Sequence, residues 1–264
     1  MAFGQENTKF SQEYIFMPRG DAFVEADERM MMTQADKVFR YVRSRILEGA
    51  YTPGAKLKLT DLAQDCDVSL GAVREALSRL LADGFVVLEA QKGYKVASIS
   101  PEELIDVTSV RASIEGLCLR ASIERGDIEW ETGVVAAYHR LSRLSEPSSD
   151  DPLRVNENWS IAHGEFHYRL VCACGSPTLL RLREQLYVQA ERYRRLSLPL
   201  KTSLRDVDGE HKAIMEATLA RNPDEACELM ERHLQKTARI LLESRLFSSS
   251  PARPPDEESS READ

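Results

Sequence analysis

Long apolar runs are missing from this chain of 264 residues. No stretch of about 18 consecutive apolar residues occurs, so a membrane span is excluded. The N-terminus also lacks the apolar core of a signal peptide, which predicts a cytoplasmic protein. Cysteine is scarce: there are five, an odd number, with no CxxC spacing. That usage argues against a disulfide framework or a zinc ribbon and for reduced thiols. Positive charge is in deficit as well, the formal net charge being −8. Taken as an average, that speaks against a polyanionic partner. With 42% hydrophobic and 30% charged residues, however, the chain has the composition of a globular protein rather than a wholly disordered one. Its length suffices for one large domain or two ordinary ones.

The charge is unevenly spread. Residues 34–97 carry ten Lys and Arg against eight Asp and Glu, a local excess of +2 in an otherwise acidic chain. This is where a polyanion would be sought. Residues 1–33 show no clear period and are expected to form an extension. Residues 248–264, SSSPARPPDEESSREAD, are rich in Ser, Pro and acid and predict a disordered tail. Residues 34–99 alternate short helical patterns with a turn and a strand pair, whereas 100–247 read as helix after helix. The expected helices there are 101–125, 128–145, 153–174, 177–197, 203–220 and 223–246. Ser100-Pro101 with Glu103, and Asn222-Pro223 with Glu225, carry helix-start signals, and Ser176-Pro177 a weaker one. The fold class is therefore mainly α, a small N-terminal domain followed by a bundle of about six helices.

In the first domain, residues 34–48 place Val38, Val42 and Ile46 on one helical face, and Tyr51-Thr52-Pro53-Gly54 stops the helix. Thr60 can cap a short helix with Leu62 and Ala63 inward. After the tight Asp67-Val68-Ser69 connection, Ser69 can cap a helix whose Val73, Leu77 and Leu80 face the core and whose Arg74 and Ser78 face out. Gly84 ends it, and FVVLEAQKGYKVAS reads as a hairpin. Helix, short helix, tight turn, helix and hairpin form the winged helix-turn-helix order. Its second helix enters the major groove of double-stranded DNA by its N-terminal end. Arg74, one turn in, can reach a guanine edge or a phosphate, and Lys92 at the wing tip a phosphate or the minor groove. Arg40, Arg43, Lys56 and Lys58 suit backbone contacts.

The string PGAKLKLTDLAQDCDVSLGAVREALSRLLADGFVVLEAQKGYKV resembles the DNA-binding domain of GntR-type bacterial regulators. The resemblance implies Arg74 as a DNA contact, with Ser69 and Lys92 facing phosphate or groove. Where the family commonly has a basic residue, threonine and proline after the serine, this chain has Leu70, Gly71 and Ala72. These offer no side-chain donors, though Leu70 or Ala72 can touch a thymine methyl, so a different operator sequence is implied.

Histidine is the other scarce residue. There are five, and four have a suggestive distribution. His163 and His167 lie four apart on one expected helix, so both imidazoles share a face. His211 and His233 lie on two later helices, and an antiparallel bundle can bring all three helices to one point. The plain alternative is a set of structural or surface histidines, as His139 is expected to be. Cys174 shares the face of His167 but lies too far along the axis to be a co-ligand, and is expected to be a core thiol.

Residues 101–247 are similar to the FCD effector-binding domain of the FadR subfamily, through VRASIEGLCLRAS, HGEFHYRLVCACGSPTLL and EHKAIMEATLARNPDEACELMERHL. The resemblance implies a divalent metal at the floor of a ligand cavity, with His167, His211 and His233 on the three histidine positions. His163 stands where the family usually has Asp or Asn. Four imidazoles favour zinc, with nickel or another late first-row ion as alternatives, over magnesium or calcium. The resemblance also implies Arg111 as a cavity arginine for a ligand carboxylate, with an ion pair to Glu115 as the rival role. Arg192, Arg194 and Arg195 read as a solvated face or an interdomain contact.

The function expected from these residues is that of a ligand-responsive transcription regulator, a homodimeric repressor rather than an enzyme, sensing a small organic acid. One alternative keeps the DNA reader but makes the metal purely structural. Another is a metal-dependent hydrolase or oxygenase, for which Glu165 or Glu210 would have to act as base.

Overall fold

The computed structural model describes residues 32–147, 155–197, 205–244 and Phe247. The expected extension, apart from residues 32 and 33, and the expected acidic tail lie outside the described residues.

Helix α1 (Gln34–Leu47) starts at a reciprocal cap: Thr33 accepts from the Asp36 N–H while the Asp36 carboxylate accepts from the Thr33 N–H. Its apolar stripe buries Val38, Phe39 and Val42. Strand β1 (Lys56–Leu57) and helix α2 (Leu59–Cys66) follow. Asp67 takes a left-handed conformation, φ 51°, which turns the chain sharply. Helix α3 (Leu70–Ala82) then crosses α1, and Arg79 joins the two by an ion pair to Asp36 at 2.7 Å and by lying over the Phe39 ring. Gly84, at φ +75°, ends it in the region glycine enters without strain. Strands β2 (Val86–Glu89) and β3 (Gly93–Val96) form the expected hairpin. The sheet has a third member, since β1 pairs antiparallel with β3, giving the order β1-β3-β2. Two residues are too few to show an alternation of period two, so β1 left no readable pattern.

Thr60 does not cap α2. Lys58 occupies the N-cap position without a side-chain cap bond, and the Thr60 hydroxyl donates to Asp61 instead. Val73, Leu77 and Leu80 of α3 join Val38, Leu62, Phe85 and Val96 in the core of this domain.

The remaining described elements are six helices: α4 (Pro101–Arg125), α5 (Ile128–Leu141), α6 (Glu157–Val171), α7 (Pro177–Ser197), α8 (Val207–Leu219) and α9 (Pro223–Leu242). Helix α4 packs on α6, α7 and α9, with α5 and α8 closing the bundle. Ser100, Asp127, Asn156, Asp206 and Asn222 each cap a helix start. Several helices are shorter than their expected spans. Asn156 and Asp206 begin α6 and α8 later than 153 and 203, and α9 stops at Leu242 rather than 246. A cap marks a boundary only when its side chain turns back onto the first turn, which hydrophobic spacing does not report. No helix among the described residues is long and apolar enough to cross a membrane.

Candidate DNA-reading surface and metal centre

The first surface is the N-terminal end of α3. Ser69 caps it, its hydroxyl accepting from the Ala72 N–H at 3.2 Å, while the Ser69 N–H donates to Gln34 of α1. The cap therefore fixes the helix start against α1 before any partner binds. Leu70 is 43% exposed at this helix end. Gly71 and Arg74 are exposed beside it. A Cβ on Gly71 would meet only the Ser69 hydroxyl, at 3.8 Å, so the glycine leaves the helix end open to close approach. Lys92 is exposed in the turn between β2 and β3, where Gln91 and Gly93 both have positive φ. Lys56 and Lys58 are exposed along β1 and the start of α2, Lys58 lying 3.8 Å from Asp61. Arg40 is exposed on α1. Arg43 lies over the Phe85 ring, toward the second domain.

The second site lies inside the helical bundle. Helix α6 supplies His163 and His167, α8 supplies His211 and α9 supplies His233, and all four are buried. One ring nitrogen from each falls within 4.8 Å of every other. His139, the fifth histidine, is exposed on α5. Cys174 is a buried thiol, as its position beyond the ligand turn implied.

Buried imidazoles at this density demand an account of their polar atoms. Nδ1 of His163 and both ring nitrogens of His167 have no hydrogen-bond partner in the structure. Leaving such atoms unsatisfied costs roughly 1–3 kcal/mol each. Burial, and then the charge of neighbouring groups, pushes the pKa of His163 and His167 well below the ordinary histidine value. Burial also lowers His233, although Glu210 pulls the other way. Burial thus favours the neutral form of these three rings, the form that binds a metal. Nitrogens bound to one ion at about 2.1 Å lie no more than about 4.2 Å apart, and the four here already fall within 4.8 Å of one another. The residues fit a divalent first-row ion.

The shell around the rings is as ordered as the rings. Trp159 stacks on His163 with centroids 4.6 Å apart, and Phe166 meets His167 and His211 edge-on. His233 Nδ1 lies 2.8 Å from a Glu210 carboxylate oxygen, which leaves Nε2 for an ion and fixes the ring plane. Burial alone would raise the Glu210 pKa, but the hydrogen bonds from His233 and Arg205 outweigh it and lower it. Glu210 also binds Lys236, and Arg205 reaches the His233 carbonyl at 3.1 Å. Such a carboxylate is committed to orienting a ligand, not to acting as a base. Glu165 lies apart, paired with Arg169 at 2.6 Å. The hydrolase alternative therefore has no base at the cluster among its two candidates.

Beside the histidines lies a small cavity of about 40 Å³. Arg111, Trp159, Arg194, Arg205 and Thr237 line it together with His163 and His233. Arg111 borders the cavity and pairs with Glu115 at 3.3 Å. Glu115 shares the same oxygen with Arg183 at 3.0 Å, and both guanidinium groups lie within 5.0 Å of the Tyr187 ring centre. Burial lowers the Arg111 pKa, partly offset by Glu115.

The basic run on α7 is not a solvated face. Arg194, buried, and Arg195, half-buried, surround Glu191 at 2.6 and 2.9 Å, and Ser160 of α6 joins them. Burial would raise the Glu191 pKa, but Arg194 and Arg195 outweigh it and hold the group ionised. Residues 183, 187, 191 and 194 are spaced by 4, 4 and 3. The period was readable, but polar residues at a helical period ordinarily mark the wet side of a helix. Glu191→Gln removes the charge that compensates the Arg194 and Arg195 guanidinium groups. It is expected to cost about 3–5 kcal/mol in denaturant unfolding, with Glu157→Gln at the exposed edge costing under about 1 kcal/mol.

A winged helix-turn-helix domain joined to a helical domain with a cluster of buried imidazoles defines a two-domain transcription regulator. Residues 34–96 match the family of bacterial regulatory proteins, gntR family, and residues 106–236 match the FCD domain. The chain is 37% identical to the HTH-type transcriptional regulator BphR of Paraburkholderia xenovorans, over 78% of this chain and 84% of that one. It is also 37% identical to the HTH-type transcriptional repressor GlaR of Escherichia coli, over 78% of this chain and 94% of that one. Among solved structures, Escherichia coli McbR/YncC shares the fold with a TM-score of 0.64, at 18% identity, over 80% of this chain and 97% of that one. A GntR regulator from Rhodococcus sp. RHA1 does so with a TM-score of 0.63 at 22% identity, over 80% and 99%. The chain belongs to the GntR family and is a DNA-binding transcriptional regulator with an FCD effector domain.

Proposed function

We propose that this protein is a homodimeric repressor that releases its operator when a small organic acid enters the cavity beside the four histidines. The observation that carries the sensing half is the set of His163, His167, His211 and His233, buried and convergent, bordered by Arg111. These residues would hold zinc, or nickel or another late first-row ion. When bound, the ion supplies positive charge and, if six-coordinate, open positions for an anionic ligand. Arg111 faces the same cavity and offers its guanidinium to a carboxylate. The donor chemistry of the wall thus favours a carboxylate effector.

On the DNA side, Arg74 reads a base edge or phosphate in the major groove, and Ser69, Leu70 and Gly71 make the close approach at the helix end. Lys92 reaches out from the wing, and Arg40, Lys56 and Lys58 bind phosphates. A two-fold dimer reads a palindromic site of two half-sites. The effector shifts the population toward a placement of the two readers that no longer fits that spacing, which requires that it bind the released state more tightly.

A second reading has one observation in its favour. Four imidazoles would be enough ligands to fill a zinc sphere, and the cavity of about 40 Å³ has room for little more than a water molecule. In that case the metal is structural and the cavity senses nothing. A gel shift on the duplex upstream of the protein's own gene, with pools of small acids added, separates the readings. Arg111→Gln is expected to bind the duplex within about twofold of wild type while losing the response, since Arg183 still compensates Glu115. A wild type whose duplex binding no acid alters sinks the sensor reading and leaves the structural one.

A further inference from the structure

The DNA reader meets the effector domain along α7, and the meeting is lopsided. Arg192, 5% exposed, donates from Nη1 to the Gly84 carbonyl at 2.5 Å and from Nη2 to the Ser98 and Ala97 carbonyls at 2.8 and 3.4 Å. Gly84 is where α3 ends, and Ala97 and Ser98 are where the wing hands the chain on to α4. One planar guanidinium thus ties the end of α3 and the segment leaving the wing to one turn of the other domain. Gln189, one turn earlier, lies so near that a Cβ on Gly84 would sit 3.4 Å from its Cγ. Val188 packs against the core of the DNA-binding domain.

Helices α1 and α7 also meet near this point. Beside the contact opens a cleft of about 300 Å³ lined by Phe39, Arg43 and Leu47 of α1 and by Ile161 and Tyr187 of the second domain. A joint fixed at one place and open beside it can rotate about the fixed place. The opposite side of the same helix faces the histidine cluster. Tyr187 lies 6.5 Å from the His163 ring, and Arg194 lines the cavity. Helix α7 therefore touches the metal-side cavity and the end of the recognition helix within about two turns.

We propose that Arg192 is a positioning residue for DNA reading: it is the pivot on which α3 is held, and α7 is the lever through which the state of the histidine cluster reaches it. The lever half rests on the metal reading above, whereas the pivot half does not. Arg192 touches neither DNA nor the histidines, and acts through the carbonyls that set the direction of α3.

The test is hydrogen–deuterium exchange on the full chain as wild type, R192M and R192K, each with zinc and with a chelator. R192M keeps much of the bulk without a donor. It is expected to speed exchange over residues 84–98 by about tenfold or more while leaving the peptides of 106–236 outside the turn that carries residue 192 unchanged. It should also abolish the difference between zinc-loaded and chelated protein that wild type shows at 84–98. R192K, with one ammonium, should fall between. Unchanged protection at 84–98 in R192M overturns the pivot. Loosening spread evenly through both domains also overturns it, because that marks an arginine needed only for stability. A wild type that binds zinc without any change at 84–98 overturns the lever. If wild type binds no zinc, the metal reading and the lever fail together, and the metal-free comparison of R192M with wild type still decides the pivot.

Discussion

Chelating the metal is expected to lower the melting temperature of this protein by roughly 8–16 °C. A ligand present at a thousand times its dissociation constant stabilises the fold by about 4 kcal/mol, and each kcal/mol is worth about 2–4 °C in a chain of this size. The effect is large because the alternative to an ion is a group of buried imidazoles with orphaned nitrogens on His163 and His167. His167→Ala should lose stoichiometric metal, and its melting temperature should no longer respond to chelator. Differential scanning calorimetry with metal analysis on the same samples checks both. Metal-free protein whose melting temperature equals that of the purified protein would sink the metal centre.

The chelated protein should also be acid-sensitive in a definite window. The histidine pKa values are lowered in the fold from an ordinary value of 6.5. Below that value the unfolded chain takes up protons that the folded chain refuses. Stability is therefore intact above about pH 6.5 and falls as the pH drops from there toward the lowered folded values.

Arg74→Ala is expected to weaken operator binding by about 1–3 kcal/mol, a loss of roughly 5- to 150-fold, and to relax the sequence preference at one base pair in each half-site. Lys92→Ala provides the contrast. A wing-tip ammonium on a phosphate weakens all sequences alike and reduces the salt dependence of binding by about one ion. Titrations of the upstream duplex and of a scrambled one, at several salt concentrations, separate these outcomes. If Arg74→Ala weakens both duplexes equally, the arginine is a phosphate contact and sequence reading falls to the apolar end at Leu70. That end has its own signature, because replacing thymine by uracil removes the methyl groups a leucine would touch.

The placement of the residues at the start of α3 was legible in the linear chain. Ser69, Leu70, Gly71 and Arg74 lie within six consecutive positions of one helix, so helical geometry alone places them together. The histidines were legible only in part. His163 and His167 share a face by spacing, but nothing local ties them to His211 and His233, which α8 and α9 deliver from more than 40 positions away. Glu210 stood next to His211 in the chain and was considered as a base. Its bond to His233, 23 positions on, makes it an orienting carboxylate instead. Arg183, Glu191, Arg194 and Arg195 were the least legible, because a charged residue carries no mark of burial until its counter-charges are known.

What the sequence by itself determined is what short-range physics governs: the helix starts at Ser69, Ser100 and Asn222, the glycine stop at Gly84, the hairpin around Lys92 and the all-helical second domain. These depend on capping, backbone sterics and hydrophobic period, each confined to a few neighbouring residues. The tertiary structure alone decided the rest: that β1 joins the wing, that four imidazoles meet, that Glu115 of α4 takes Arg183 of α7, and that Arg192 grips the DNA-binding domain at the end of α3 and after the wing. Each of these is a contact between distant segments, and its energy exists only after desolvation has removed the water that would otherwise satisfy the same groups.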